Sequence, residues 1–185
     1  MGIHALRRVR EVTAIVAISD GKRVYLAGDS ALSTGDHVFH SADPKVFERD
    51  GIVIGFCGSL RFGELVALTK LPHRGKDVDL WVRNDVCDAL RLAALHKGHD
   101  ISDGDDSEAI LGIGGQIYII TSGPVAYRVR GSHAAIGSGS PWAEGSLYST
   151  DGAGMSVKER LVTALEAAEM YCAAVRGPWS FAGLK

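Results

Sequence analysis

The 185-residue chain lacks the features that mark several large classes of protein. It has three cysteines, Cys57, Cys87 and Cys172, which are far apart and form no C-x-x-C pair. This pattern argues against a disulfide framework and favours buried thiols in a reducing compartment. No apolar run reaches the length of a signal peptide or a membrane span. We therefore predict a cytoplasmic protein that makes no contact with a membrane.

An excess of charge of either sign is also missing. Lysine and arginine number 20, aspartate and glutamate 22, and the formal net charge is −2. Nucleic-acid-binding domains carry a basic surface, so this balance predicts no nucleic-acid partner. Internal repeats and low-complexity segments are absent, and 46% of the residues are hydrophobic. A chain of this size and composition can bury a core of its own.

Metal-binding patterns are incomplete. His37-x-x-His40 and His96-x-x-His99 have spacings seen in metal sites, but neither pair has an evident third ligand. The acidic segment 100–108 begins at Asp100. Counted from there, the twelfth position is Leu111, where a calcium-binding EF-hand loop needs glutamate. We interpret these residues as exposed polar positions and a solvated loop, and we predict no metal site.

The hydrophobic patterns predict an alternation of strand pairs and helix pairs. "TAIVAIS" and "KRVYLAGDS" are β-branched runs joined by Asp20-Gly21, a dipeptide favoured in two-residue hairpins, and a second hairpin is predicted around Asp50-Gly51. The residues 31–43 between them form a polar segment to which no element is assigned. The runs "AILGIGG", "QIYIITSG", "VAYRVRG" and "HAAIGSGS" predict a meander of strands.

Helices are predicted at four places. Two of them, over 60–70 and 77–98, follow the second hairpin; Pro141 opens a third, and a capping box at Ser156 and Glu159 opens a fourth that extends to about Val175. Strands grouped apart from helices indicate an α+β fold. We predict two antiparallel sheets, each covered by a pair of helices, in a four-layer αββα sandwich.

A set of short motifs then gives a resemblance. It comprises Thr13 at the start of a strand, "AGDS" around Asp29, Lys45 32 residues after the threonine, "IGFCGS" and "AIGSGSP". In this order and at these spacings the chain resembles proteasome β-subunits and the HslV-type peptidase, and most of all the small proteasome-like Ntn-hydrolases of bacteria and phages. The resemblance extends from Thr13 over nearly the whole chain and implies the αββα Ntn-hydrolase fold.

The resemblance implies a role for each of five residues. Thr13 would be the nucleophile, and its own α-amine, once free, would be the base that removes the hydroxyl proton. Lys45 would keep that amine neutral by like-charge repulsion, and Asp29 would orient Lys45. The N–H of Gly55 would stabilise the oxyanion, and Ser138 would support the amine. This chemistry requires no metal and no organic cofactor.

Each residue also has a structural interpretation when it is taken alone. Thr13 is a good strand former, Asp29 suits a turn after a strand, and Lys45 after a proline suits a solvated surface. The glycines beside Ser138 suit a tight turn into the next helix. Only the combination, with its spacing preserved, favours the functional interpretation.

The N-terminus departs from the family pattern. Val12 precedes Thr13, whereas proteasome precursors are cut after glycine and the HslV type exposes its threonine by losing the initiator methionine. We therefore divide the chain into an N-terminal extension, 1–12, and a proteasome-like domain, 13–185. Valine can be encoded by GTG, an alternative bacterial start codon, and Arg7-Arg8 by AGGAGG, a ribosome-binding sequence. The extension would then be a mis-assigned start; the alternative is a genuine extension that is retained or removed by autolysis.

The C-terminus departs from the pattern as well. Active proteasome subunits carry Arg-Asp-x-x-Ser-Gly, but here Gly177 stands in the place of the aspartate, so Ser180 is not assigned a role. HslV-type subunits also lack this motif.

The resemblance implies a peptidase that acts on peptides or unfolded proteins and assembles as a homo-oligomeric ring of six or seven subunits. It is compatible with a regulatory ATPase partner. Two alternatives share the fold: a catalytically silent scaffold subunit and an amidase that acts on a small molecule.

Overall fold

The first sheet contains both ends of the predicted domain. In this computed structural model, which describes residues 13–34, 37–98, 106–173 and 175–184, four antiparallel strands lie in the order β10-β1-β2-β11. They are β1 (Ile15–Ser19), β2 (Val24–Gly28), β10 (His133–Ile136) and β11 (Ser180–Ala182). The hairpin between β1 and β2 turns at Asp20-Gly21 as predicted, because Gly21 supplies a φ of +85°.

The second sheet contains the central part of the chain. Five antiparallel strands lie in sequence order, which is the simplest meander. They are β5 (Val46–Arg49), β6 (Ile52–Cys57), β7 (Glu108–Ile113), β8 (Gln116–Thr121) and β9 (Ala126–Arg128). The predicted hairpin at Asp50-Gly51 is confirmed, with positive φ values at both residues.

Helices cover the outer face of each sheet. The second sheet packs against α1 (Leu60–Leu68) and a helical rod that consists of α2 (Val78–Leu80), a π-helical segment (Trp81–Val86) and α3 (Cys87–His96). The first sheet packs against α4 (Ser140–Ser149) and α5 (Val157–Tyr171). A third apolar cluster, which includes Ile15, Leu26 and Ile110, fills the space between the two sheets. The predicted αββα sandwich is confirmed.

The helix starts follow the predicted local chemistry. Pro141 lies in the first turn of α4. In α5 the Ser156 hydroxyl accepts the Glu159 N–H at 3.3 Å and the Glu159 carboxylate accepts the Ser156 N–H at 2.7 Å, which completes the capping box. No helix among the described residues is long and apolar enough to cross a membrane.

Two elements have no counterpart among the predictions, and two predictions of local structure were wrong. The polar segment 31–43 forms a hairpin, β3 (Ala31–Thr34) and β4 (His37–His40). All of β4 is exposed, so its strand lacks the apolar alternation that sequence patterns detect. The three-residue β11 is too short to show a pattern. The last helix ends at Tyr171, not near Val175, and the chain then turns back towards β11.

The second error concerns sheet membership. The predicted meander included "HAAIGSGS", but β10 crosses to the first sheet and pairs with β1, where Ile15 lies opposite Ile136. This crossing is decisive for the site. It places the end of β10 beside the residue that precedes β1, and the ends of β2 and β6 lie at the same end of the sandwich.

Candidate active site

Thr13 lies at one end of the space between the two sheets. It precedes β1 by two residues and is only 2% exposed. Side chains alternate along a strand, so Thr13 shares the inter-sheet face of Ile15 and Ala17. A threonine that served only as a strand former would be expected among apolar neighbours, whereas the Thr13 hydroxyl meets a charged group.

That charged group is the ammonium of Lys45, which directly precedes β5. Its Nζ donates to Thr13 Oγ1 at 2.9 Å, to the Asp29 carboxylate at 3.1 Å, and to the Ala31 carbonyl. These bonds use all three donors of the ammonium, so its position is fixed. Lys45 is 3% exposed, which excludes the predicted alternative of a solvated surface lysine.

Asp29, which follows β2, is completely buried and holds Lys45 in place. Its Oδ1 accepts the N–H of Ala14 at 3.1 Å, and its Oδ2 accepts the N–H of Ala31 at 3.1 Å. Burial raises the pKa of the Asp29 carboxyl, and the Lys45 charge and these two N–H groups oppose that rise. Because Ala14 adjoins Thr13, the same carboxylate binds the backbone beside Thr13 and the ammonium that contacts the Thr13 hydroxyl.

Ser138 lies on the other side of Thr13, in the turn after β10. Its hydroxyl oxygen accepts from the Thr13 backbone nitrogen at 3.3 Å, and the N–H of Gly139 donates to the Thr13 carbonyl at 3.1 Å. Gly137 has a φ of +88°, and a β-carbon there would lie 2.3 Å from the Thr13 carbonyl oxygen. The close approach of this turn to Thr13 therefore requires glycine.

The position of Gly55 does not support the role predicted for it. Gly55 lies inside β6 and pairs with Val46 on one side and Ile110 on the other. A β-carbon there would lie 2.7 Å from the side chain of Ile15, so the residue is glycine because two sheets pack closely at this point. An interior strand position uses its amide in the sheet ladder, which leaves no donor directed at Thr13.

Gly58 is the second glycine of the motif "GFCGS", and it lies just beyond the end of the sheet. It directly follows β6 and has a φ of +87°. The neighbouring Phe56 donates its N–H to the carbonyl of Lys45 at 3.1 Å, and the β-carbon of Cys57 lies near the turn at Gly137. The end of β6 therefore adjoins the residues around Thr13. Its sequence signal was the second glycine of "GFCGS", just after the apolar run.

The remaining motifs do not join this cluster. His37 and His40 lie three residues apart on β4, so their side chains point to opposite faces, and the His40 ring bonds the Ser30 hydroxyl at 3.1 Å. Ser180 donates to the carbonyl of Gly28 within the first sheet. Among the described residues, no group of three or more His, Cys, Asp or Glu is placed to hold a metal ion. His99, most of the acidic segment, and the extension 1–12 lie outside the described residues.

Comparisons with known proteins bear on the fold. No protein-family model matches this sequence. No curated protein matches it either. Solved structures do match: BPH of Thiobacillus denitrificans in complex with epoxomicin has a TM-score of 0.73 and 16% identity, over 91% of this chain and 96% of that one.

Two further structures agree. HslV from Trypanosoma brucei has a TM-score of 0.64 and 20% identity, over 91% of this chain and 97% of that one. An Anbu mutant from a Hyphomicrobium strain has a TM-score of 0.70 and 17% identity, over 91% and 80%. The chain has the Ntn-hydrolase fold of these proteasome-type proteins, so the resemblance predicted from the sequence is confirmed at the level of the fold.

Proposed function

We propose that the protein is an N-terminal-threonine hydrolase that cleaves peptide bonds. The observation that carries the proposal is the buried contact of 2.9 Å between Lys45 Nζ and Thr13 Oγ1, with Asp29 behind the lysine. A buried ammonium directed at a hydroxyl lowers the cost of forming an alkoxide, and a packing role alone gives no reason to bury the Lys45–Asp29 pair there.

The first step uses the free α-amine of Thr13 as the base. The amine takes the proton from Oγ1 while Oγ1 attacks the substrate carbonyl carbon, which gives a tetrahedral oxyanion. A free α-amine has an ordinary pKa of about 7.7–8.0, and the ammonium of Lys45 favours its neutral form. Ser138, at 3.3 Å from the Thr13 nitrogen, orients the amine.

The oxyanion requires an N–H donor that is not part of a sheet ladder. We assign this role to Gly58 in place of Gly55, since Gly58 leaves β6 beside the residues that surround Thr13. Collapse of the intermediate breaks the C–N bond, and the leaving amine takes the proton from the α-ammonium. Water then hydrolyses the Thr13 ester, with the same amine as the base.

This mechanism requires that no residue be joined to the Thr13 nitrogen. The extension 1–12 must therefore be absent or removed, either because translation starts at a GTG codon at Val12 or because the Val12–Thr13 bond is cleaved. The codon for Val12 in the gene distinguishes these routes directly. A retained extension would favour the silent scaffold subunit, and a small-molecule amidase would use the same residues with a different pocket.

Intact-mass analysis of protein made from its native gene, followed by treatment with epoxomicin, tests the proposal. An epoxomicin complex is known for the BPH protein that shares this fold. We expect a chain that begins at Thr13, one covalent adduct per chain, and no adduct in Thr13→Ala. Thr150→Ala is the control, because it removes a hydroxyl at the end of α4. Epoxomicin should label this variant as it labels the wild type. A native chain that still begins at Met1, or an adduct that survives in Thr13→Ala, would contradict the proposal.

A further inference from the structure

Glu108 is an acidic residue at the end of the sandwich where Thr13 lies. It is the first residue of β7 and lies directly opposite Cys57, the last residue of β6. Directly opposite residues of antiparallel strands point to the same face, and Cys57 belongs to the core between the sheets. The half-buried side chain of Glu108 therefore faces the space in which Thr13 lies.

Cys57 connects this carboxylate with the proposed catalytic residues. The charges that act on its buried thiol are those of Glu108, Lys45 and Asp29. The β-carbon of Cys57 also lies near the turn at Gly137, which touches the carbonyl of Thr13. Glu108 and the Lys45–Asp29 pair therefore both act on Cys57, at the same end of the sandwich.

Asp29 and Glu108 differ in their charge balance. Asp29 is paired with Lys45 at 3.1 Å, whereas Glu108 has no ion-pair partner in the part of the chain that the structure describes. The nearest charges, on Asp106 and Glu144, are also negative, and burial and these two neighbours raise the pKa of Glu108. A cation beside Glu108 would relieve both the burial cost and the repulsion.

We infer that Glu108 makes the cleft selective for substrates that carry a lysine or arginine side chain next to the cleaved bond. The inference rests on the proposed function, because it assumes that the substrate is a peptide. It concerns the binding of that peptide, so it can be tested without catalysis. Glu108 is a specificity-determining residue in this assignment and takes no part in the bond-breaking steps.

The test compares pairs of peptide amides that differ at one position, where one peptide has arginine and the other has citrulline, the neutral isostere of arginine. One pair varies the residue before the cleaved bond, and a second pair varies the residue after it. Binding to the Thr13→Ala protein is measured by calorimetry, so that no cleavage occurs. We expect the arginine peptide to bind about ten-fold more tightly, as for a partly exposed charge pair. Thr13→Ala/Glu108→Gln should bind both peptides alike.

The matched control is Thr13→Ala/Glu166→Gln, which removes the same charge from an exposed position on α5 and should preserve the preference. Equal binding of both peptides, binding of neither, or a preference that survives Glu108→Gln overturns the inference. Glu108→Ala repeats the test should the glutamine variant fail to fold. Failure of protein with a free Thr13 to hydrolyse either peptide contradicts the proposed function alone.

Discussion

The residue that decides between a structural and a catalytic interpretation of Thr13 is Lys45. A hydroxyl buried at a strand end needs one hydrogen-bond partner, and a backbone group would satisfy it at no electrostatic cost. Here the partner is an ammonium that must itself be neutralised by the buried Asp29. Burying such a pair costs several kcal/mol of desolvation, so its presence at the hydroxyl is more readily explained by chemistry than by stability.

Asp29→Asn removes the only counter-charge that we find for Lys45 among the described residues. We expect the free energy of unfolding to fall by about 3–5 kcal/mol, because the ammonium remains buried without compensation. Urea denaturation measures this change. Asp151→Asn is the control. It breaks the ion pair between Arg160 and the exposed carboxylate of Asp151, and it should lower the free energy of unfolding by about 1 kcal/mol or less. Equal effects of the two substitutions would show that the buried pair contributes no more than a surface one.

Cys57 is a free thiol near Thr13. Burial raises the pKa of its thiol to about 12, so the thiolate is scarcely populated below pH 10. We expect iodoacetamide to leave Cys57 unmodified in the folded protein between pH 7 and about pH 10, and to modify it after denaturation in urea. Peptide mass spectrometry locates the label. Modification of Cys57 in folded protein at pH 8 would show that it is accessible and could compete with Thr13 as the nucleophile.

At the scale of the elements, the site is made almost entirely from the ends of strands. The starts of β1 and β5 and the ends of β2, β6 and β10 meet at one end of the sandwich, and each contributes one residue beside or just beyond its end. A strand end is held by its sheet but has free backbone groups, and both properties suit precise positioning of catalytic groups.

The turn after β10 should be the least tolerant of these ends. Gly137→Ala would place a β-carbon 2.3 Å from the Thr13 carbonyl at a φ of +88°. We expect epoxomicin to label Thr13 no longer. We also expect the free energy of unfolding to fall by more than the roughly 1–2 kcal/mol that an alanine costs in the left-handed conformation. Gly152→Ala is the control, because Gly152 has a φ of +73° and open space around it, and it should show the backbone cost alone. The two alanine variants would behave alike if the turn did not press on Thr13.

At the scale of the molecule, large apolar side chains are exposed on both helical layers. On one side they lie on α1 and α3, and on the other on α4 and α5, where Trp142 stacks on Tyr171 at 6.4 Å. The exposed residues include Leu68, Leu92, Leu95, Met170 and Tyr171. Large apolar side chains exposed on two opposite layers favour burial against other subunits.

We expect the purified protein to be a homo-oligomer of six or seven 19.6-kDa subunits or of twice that number. Two different apolar faces on one subunit favour head-to-tail contacts, and such contacts form a ring when the rotation between neighbouring subunits closes. Native mass spectrometry gives the number of subunits. Tyr171→Glu should weaken the assembly, whereas Glu166→Gln on the same helix should not. A monomer at micromolar concentration would contradict the expectation.

The sequence by itself determined most of the helices and strands and the residues of the candidate site other than the oxyanion donor. Hairpin dipeptides, a helical proline and a capping box depend on local backbone chemistry, so they could be recognised without knowledge of the partner strands. The grouping of Thr13, Asp29 and Lys45 was predicted in a different way, from the resemblance to proteasome-type hydrolases, whose motifs occur in this sequence in the same order and at the same spacing. The exposed hairpin β3–β4 escaped detection because no buried face imposes a pattern on it.

Only the tertiary structure decided which strand ends meet and where each glycine and carboxylate points. Gly55 and Gly58 belong to one motif, yet one packs between the sheets and the other leaves the sheet, because the register with β5 and β7 determines their directions. In the same way, the crossing of β10 brings Ser138 to Thr13, and the pairing of Glu108 with Cys57 turns a carboxylate towards the cleft. These relations depend on contacts between residues distant in sequence, which local patterns do not encode.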